Sequence, residues 1–435
     1  MKNLIAFFAL LCAATLTLAG VKIEHWQTTT GARVYFVEAH QLPILDVQLD
    51  FAAGDLYTPP GKAGLPGLTR GLLDAGAGDL DEEAIASRLA DIGAKLGGGA
   101  DDDRASVTLR TLASPTERDA ALTLLHAVLS APTFPQAVLT REITRGIAAI
   151  READTQPDSL AAKRFSAAVY PDHPYGLSAT AESLAAINRD DVVAFYRQHY
   201  AAKRASITLI GDISRGEAEA IAERLTKDLP AGGDSAPPPE VKLPQRQVIK
   251  LPHPAEQSHV LIGLPAIRRG DPDYFPLLVG NYSLGGGGFV SRLMKEVREK
   301  RGYAYSVYSY FSPQQLPGPF QIGLQTKRAQ VDDALQVVDR VLTDFIAQGP
   351  TAAELAAAKK NLVDGLGLRL DSNAKLLGQV STIGFYGLPL NYLDEFPARV
   401  NAVTAAQVRA AFARHVPLDH LVTVVVSYPE TAAAK

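Results

Sequence analysis

Residues Asp191–Tyr200 read DVVAFYRQHY and lead into the apolar run Ala205–Ile210, while Gln407–Val416 read QVRAAFARHV and lead into Leu421–Val426. The two stretches align with His199 opposite His415, 216 positions apart. Asn188 and Thr404 precede them at the same offset, and both can accept a hydrogen bond from an otherwise unpaired amide of a helix's first turn. Upstream, Pro132-Thr133 opens a helical pattern ending near Arg151, and Pro350-Thr351 opens one ending near Leu370, an offset of 218. Near-constant offsets over several elements mark a tandem duplication. Between the copies, Leu229–Gln247 (LPAGGDSAPPPEVKLPQRQ) breaks all periodicity with Pro, Gly and Ser and reads as a linker. The expected organisation is a first domain over 20–228, a linker over 229–247 and a second domain over 248–435.

Each half mixes element types. Strand patterns fall at Arg33–Val37, Leu45–Phe51 and Ser106–Leu112, then at Val260–Leu264, Ala304–Phe311 and Phe320–Gln325. Helical patterns fall at Gly64–Leu73, Asp81–Ile92, Pro115–Leu129, Thr140–Ala153 and Ser159–Val169 in the first half. In the second they fall at Tyr274–Leu284, Val290–Arg298, Ala329–Gln348 and Ala352–Arg369. Strand pairs followed by helix pairs predict an α+β fold, each half a largely antiparallel sheet with helices on one face.

Composition narrows the function. The 435 residues are 47% hydrophobic and 21% charged, in the range of ordinary globular proteins. Lys+Arg 43 against Asp+Glu 47 leaves a net charge of −4 with no basic block, which argues against a grip on nucleic acid phosphates. Lys2, the apolar run Leu4–Leu18 and the Thr17-Leu18-Ala19 triplet read as a secretory signal peptide over 1–19, with a short membrane anchor as the alternative. No later run approaches a membrane span, so a soluble exported product, periplasmic in a cell with that compartment, is expected. Cys12, the only cysteine, lies inside the signal, so the remainder lacks a thiol for catalysis, disulfides or zinc ligation. There is no G-x-S-x-G elbow, Walker A spacing or post-strand G-x-G-x-x-G, and the nine histidines form neither H-E-x-x-H nor H-x-x-E-H. Gly97–Gly99 followed by Asp101–Asp103 misses the spacing of an EF-hand loop and reads as a solvated turn. His173 before Pro174 reads as a turn residue.

Several motifs together carry a resemblance. Gly64-Leu65 opening a helix, HPYG at His173–Gly176, Gly211-Asp212 after an apolar strand, and GGGGFVSRLMKEVREKRGYAYSV at Gly285–Val307 occur in that order. With the duplicated layout, the chain resembles the insulinase/pitrilysin metallopeptidase family, of the mitochondrial-processing-peptidase type, over nearly its whole length. Catalytic members carry H-x-x-E-H on the helix opened here by Gly64-Leu65. The resemblance puts Gly67, Arg70 and Gly71 where the first zinc histidine, the catalytic glutamate and the second histidine stand, and Ala148 or Ala149 where the third ligand stands. Glu142 and Glu152 flank that last position. A shifted alignment restores Glu152 but not the histidines. Glycine has no side chain and arginine is a permanent cation, so neither can ligate zinc or act as the base. No cofactor is expected on this chain.

What the resemblance leaves intact lies in the second half. Arg298 and Tyr305 match the Arg/Tyr pair by which the C-terminal half of family members reaches the active site facing it. The local pattern allows both side chains to converge, with Arg298 ending a helix, Gly302 permitting a left-handed cap and Tyr305 starting a strand. The plainer alternative is an exposed helix-end arginine and a core tyrosine among Tyr303, Tyr308 and Tyr310. Gly285, Gly286, Gly287 and Gly288 read either as a peptide-contacting loop or as a tight connection between helices. The resemblance implies a non-catalytic subunit of a heterodimeric zinc endopeptidase, paired with a homologous H-x-x-E-H chain that holds the zinc, with peptides as substrates. A peptide-binding or structural homodimer is the other reading.

Overall fold

The structure, a computed structural model, describes residues 20–233 and 237–428; the expected signal peptide lies outside the described residues. The first half runs β1 (Glu24–Gln27), β2 (Arg33–Glu38), β3 (Ile44–Phe51), α1 (Leu65–Gly71), the two-residue strands β4 (Gly76–Ala77) and β5 (Leu80–Asp81), α2 (Glu82–Asp91), β6 (Lys95–Ala100) and β7 (Ala105–Leu112). Helices α3 (Pro115–Ser130), α4 (Gln136–Ala153), α5 (Pro157–Val169), α6 (Ala181–Ala185) and α7 (Arg189–His199) follow, then β8 (Ser206–Gly211) and α8 (Arg215–Thr226). The second half runs β9 (Gln247–Leu251), β10 (Gln257–Ile267), α9 (Tyr274–Asn281), β11 (Ala304–Phe311), β12 (Gly318–Lys327), α10 (Val331–Gln348), α11 (Ala352–Asp364), α12 (Asn373–Tyr386), α13 (Tyr392–Ala402), α14 (Ala405–His415) and β13 (Val422–Val426).

The strands form two large sheets of one design. Their orders are β1-β2-β8-β3-β7-β6 and β11-β12-β10-β13-β9. Antiparallel pairing prevails in both, with β2 parallel to β8 in the first and β9 parallel to β13 in the second. The duplication is therefore visible in space as well as in sequence. Asn188 and Thr404 both cap their helices through a capping box, with Asp191 and Gln407 as reciprocal partners. His199 and His415 also repeat one role, each ring Nδ1 meeting a carbonyl at the end of a long strand, Ala52 just past β3 at 3.1 Å and Ala266 in the last residues of β10 at 2.9 Å.

Each sheet packs its own half's helices on one face, around cores that include Phe36, Phe51 and Leu125 in the first and Phe320, Phe345 and Phe412 in the second. The opposite face is covered by a helix from the other half. Leu377, Val380 and Ile383 of α12 pack on Tyr35, Val37 and Ile210 of the first sheet, while Ala161, Phe165 and Val169 of α5 pack on Val422, Val424 and Val426 of the second. Helices α5 and α12 begin 216 positions apart, so the exchange is itself a duplicated feature. Polar side chains complete the seam. Ser381 on α12 donates to buried Asp50 at 2.6 Å and accepts from Gln48 at 2.8 Å and Arg104 at 2.9 Å.

Several expectations need correction. Gly97–Gly99 lie in edge strand β6, where pairing with β7 holds a sequence of low strand propensity. Of Asp101–Asp103, Asp103 is fully buried rather than solvated, because it accepts hydrogen bonds from Tyr175, from Tyr386 at 2.7 Å and from the Gln315 amide at 2.8 Å. The expected helix Tyr274–Leu284 ends at Asn281 and continues as a π-helical turn over Tyr282–Gly286, and Val290–Arg298 reduces to a second such turn over Met294–Glu299. The wider first turn brings Gly285 against β11, where an added Cβ would lie 2.6 Å from the Ser309 amide nitrogen.

Candidate functional site

The helix that the resemblance marks as the zinc helix is α1. Gly64 enters it with φ +96, and Gly67 and Gly71 face open space, since nothing lies within 4 Å of a Cβ built on either. Between them Arg70 turns inward. The residue is 5% exposed, and its guanidinium donates from Nε to the Ser106 carbonyl at 2.6 Å and from Nη2 to the Gly97 carbonyl, and approaches Asp74 at 4.0 Å. Arg70 thus ties α1 to the β6–β7 hairpin and presents no base to solvent. On α4, Ala148, Ala149 and Glu152 are exposed, and Glu142 is engaged by Arg141 at 2.8 Å and Arg145 at 3.1 Å. Each of these glycine and alanine positions is therefore open to solvent, while Arg70 is a buried structural cation.

Among the described residues, one group holds three potential metal-ligand atoms within 4.8 Å of one another: Asp271, Asp273 and His415. It lies in the second half, away from α1 in the chain, and Asp273 Oδ2 there already pairs with Arg414 and with His415 Nε2 at 3.0 Å. An ion-paired cluster of this kind accounts for its own charges.

The Arg/Tyr pair is brought together. Gly302 takes φ +63, and its amide closes onto the Arg298 carbonyl at 2.8 Å, so the chain reverses and returns as β11. The Arg298 guanidinium carbon lies 4.6 Å from the Tyr305 ring centre and 4.8 Å from that of Phe289, a cation held between two ring faces. Tyr305 is 83% exposed and Phe289 61%, so the cluster stands at the surface and Tyr305 is not a core residue. The guanidinium N–H groups and the phenol remain available as donors. Tyr303 packs against the second core, and Tyr308 and Tyr310 stack with centres 6.1 Å apart.

The four glycines play different parts. Gly285 is buried against Ser309, Gly286 would meet the Asn281 amide 2.6 Å from an added Cβ, and Gly287 would meet the Tyr282 carbonyl at the same distance. Gly288, with φ +60, has open space around it and leads directly to Phe289. The first three serve close packing. His173 is a turn residue, as expected, its Nδ1 accepting from the Tyr175 amide at 3.1 Å.

Sequence reasoning missed two groups. One is the buried seam of Asp50, Asp103, Ser381 and Tyr386, for which the only available signal was the 216-residue offset between α5 and α12. The other is a cleft on the second sheet lined by Tyr305, Tyr308, Tyr310, Asp158 and His259. Tyr308 and Tyr310 alternate along β11, a pattern that reads as strand before it reads as site.

Residues 186–362 match the family described as "Peptidase M16 inactive domain". A solved M16 inactive domain from Pseudomonas fluorescens is 37% identical and superposes with a TM-score of 0.90, covering 94% of this chain and 98% of that one. The Helicobacter pylori protein named "Non-peptidase homolog YmxG" is 27% identical over 400 residues, 91% of each chain. The periplasmic protease PqqL of Escherichia coli shares the fold, with a TM-score of 0.80 at 16% identity, and the match covers 94% of this chain but 45% of PqqL. Among the described residues no helix is long and apolar enough to cross a membrane. The family match over 186–362 and near-complete coverage of a solved relative at 37% identity converge, and the chain belongs to the M16 peptidase family, in its inactive type.

Proposed function

We propose that this chain is the zinc-less subunit of an exported heterodimeric metalloendopeptidase. The observation that carries the reading is the contrast between α1, where Arg70 is buried among backbone carbonyls, and the exposed Arg298–Tyr305 cluster. A family member that has given up the metal positions while presenting donors at the surface is suited to act on a site held by another chain. That partner is a homologous subunit with H-x-x-E-H, and its zinc supplies the activated water. This chain supplies chamber wall, the Gly288–Phe289 turn and two donors. A guanidinium and a phenol can hold the peptide carbonyl oxygen as negative charge develops on it. Export is supported by the leader-like first 19 residues, and the likeness to a periplasmic protease is compatible with it.

The test is affinity purification of the tagged protein from its native envelope fraction, with mass spectrometry and zinc analysis of what co-elutes. A stoichiometric H-x-x-E-H partner and about one zinc per pair support the proposal. Recovery of a zinc-free homodimer replaces it with a peptide-binding or structural protein. Within the complex, Arg298→Ala and Tyr305→Phe should each lower kcat by about 10- to 1,000-fold with assembly intact. Unchanged turnover in both variants removes the role assigned to the pair.

A further inference from the structure

Four segments of the second half meet around a cavity of about 190 Å³: Arg269 just past β10, Tyr274 opening α9, Arg369 ahead of α12, and Tyr392 opening α13. Gln379 and Thr382 of α12 complete its polar lining, the Thr382 hydroxyl already donating to the Gly378 carbonyl at 2.8 Å. No carboxylate is among the lining residues. The space is smaller than the roughly 300–1,000 Å³ of sites for drug-sized ligands, so it suits an ion or a compact group.

The two guanidiniums at this cavity are uncompensated. Other half-buried arginines meet carboxylates, Arg104 with Asp50 at 3.4 Å and Arg292 with Glu354 at 2.7 Å. Among the described residues, the Arg269 and Arg369 guanidiniums meet no carboxylate and make no hydrogen bond within the chain, and Arg269 Nε is buried without a partner. Each is held over a ring instead, Arg269 Cζ 5.3 Å from the centre of Tyr386 and Arg369 Cζ 5.7 Å from that of Phe396. A ring face attracts a cation without neutralising it. Two like charges drawn out of water beside one cavity are costly unless an anion joins them. The phenols do not supply that anion. Burial first and the neighbouring Tyr274 second raise the Tyr392 phenol above its ordinary value, against the pull of Arg269, so it remains a neutral donor at neutral pH.

We propose that this cavity binds a phosphate group, its oxygens shared between the Arg269 and Arg369 guanidiniums and the Tyr274 and Tyr392 phenols. Two monovalent cations match one dianion, and the planar fork of each guanidinium presents paired N–H donors to two oxygens of a tetrahedral oxyanion. Arg369 leads into α12 and Arg269 follows β10, so the bound group ties the helix lent to the first half to the sheet of the second. The cavity shares no residue with α1 or with the Arg298–Tyr305 pair, and the inference does not depend on the function proposed above.

The test titrates the purified full chain with inorganic phosphate by calorimetry, at about pH 7.5 and at an ionic strength held constant with sodium chloride. A Kd below about 5 mM is expected, with acetate binding about tenfold more weakly. Arg269→Gln and Arg369→Gln should each weaken phosphate binding by about tenfold or more. Arg145→Gln, the same charge change at an exposed position of α4, should leave it unchanged. The Arg369 side chain makes no hydrogen bond within the chain, so its variant decides the matter even where Arg269→Gln fails to fold. Methyl phosphate is the second probe: tighter binding than inorganic phosphate identifies a phosphate ester as the ligand, and equal or weaker binding identifies the free ion, each supporting the site. A Kd for phosphate above about 5 mM, acetate binding equal to phosphate, or equal phosphate binding by the parent and Arg369→Gln overturns the inference.

Discussion

Each half of the molecule sets one arginine near its glycine-rich segment, and the two are used in opposite ways. Arg70 is 5% exposed and spends its donors on the Ser106 and Gly97 carbonyls. Arg298 is partly exposed and lies between the rings of Phe289 and Tyr305. Duplication supplied the same sheet topology to both halves, so topology does not decide the difference. The neighbours decide it: backbone carbonyls turn a guanidinium into a strut, while exposed ring faces hold it without satisfying it. One arginine is built into the scaffold, and the other stands at the surface.

The sharpest way to break this comparison is to truncate both arginines. Arg70→Ala removes a buried cation, leaves two carbonyls without their donor and opens a void, so it should destabilise the chain by about 3 kcal/mol. Arg298→Ala should change stability by less than about 0.5 kcal/mol, because exposed cation–ring contacts contribute little. Urea unfolding of the two variants measures both. Equal losses would mean that Arg298 is structural after all.

The same logic separates carboxylates by pH. At the seam, burial first and neighbouring carboxylates second raise Asp55 and Asp102 to about 6 from 3.8. In the second half, burial also acts to raise Glu354, but hydrogen bonds from Arg292 at 2.8 and 2.7 Å and from the Thr351 amide overcome it and hold the group at about 2. For the raised pair, the folded state binds protons more tightly than the unfolded chain, so their contribution is complete below about pH 4 and is lost as pH rises through about 6. For Glu354 the contribution is present above about pH 4.5 and is lost as pH falls toward 2. Stability should therefore peak near roughly pH 4, and it should fall by about 2 kcal/mol between about pH 5 and pH 7. Asp102→Asn should flatten that decline, at the price of one weaker contact to Gln314. A urea midpoint that rises steadily from pH 5 to 7 in the parent protein would show that the seam carboxylates are better solvated than their surroundings imply.

Much of this architecture was legible from residue types. Asn188 and Thr404 announced their helices because a cap is a local interaction, and the strand pattern of Ala304–Phe311 coincided with β11 because its side chains alternate. The lack of any H-x-x-E-H was readable for the same reason, since the identity of a side chain needs no coordinates. The rest depended on distant partners. Helix α12 carries Gly378, Gly384 and β-branched Val380, Thr382 and Ile383, so its propensity is weak, and it is held by the sheet of the other half. Strand β6, with three glycines, is held by its pairing with β7 and by Arg70 at the Gly97 carbonyl. Asp103 looked like a turn residue because nothing in its vicinity along the chain reveals Tyr175, Tyr386 and Gln315. The convergence of Arg298 with Tyr305 was within reach because only seven residues and one left-handed glycine separate them.

The smallest effect sharpens the comparison at the glycines themselves. Gly285 cannot accept a methyl group, since a Cβ there would lie 2.4 Å from Ser309 Oγ, whereas Gly67 and Gly71 of α1 have nothing within 4 Å and no positive φ. Glycine inside a helix gives up backbone entropy on folding that alanine does not, so Gly67→Ala and Gly71→Ala should each stabilise the isolated chain by about 0.5–1 kcal/mol. Thermal unfolding measures the gain. If the gain appears and the proposed heterodimer then assembles less tightly, the glycines are kept for close approach of another chain to the former metal surface. If the gain appears and assembly is unaffected, that surface has no contact to protect, and the working face of the subunit is confined to the second half.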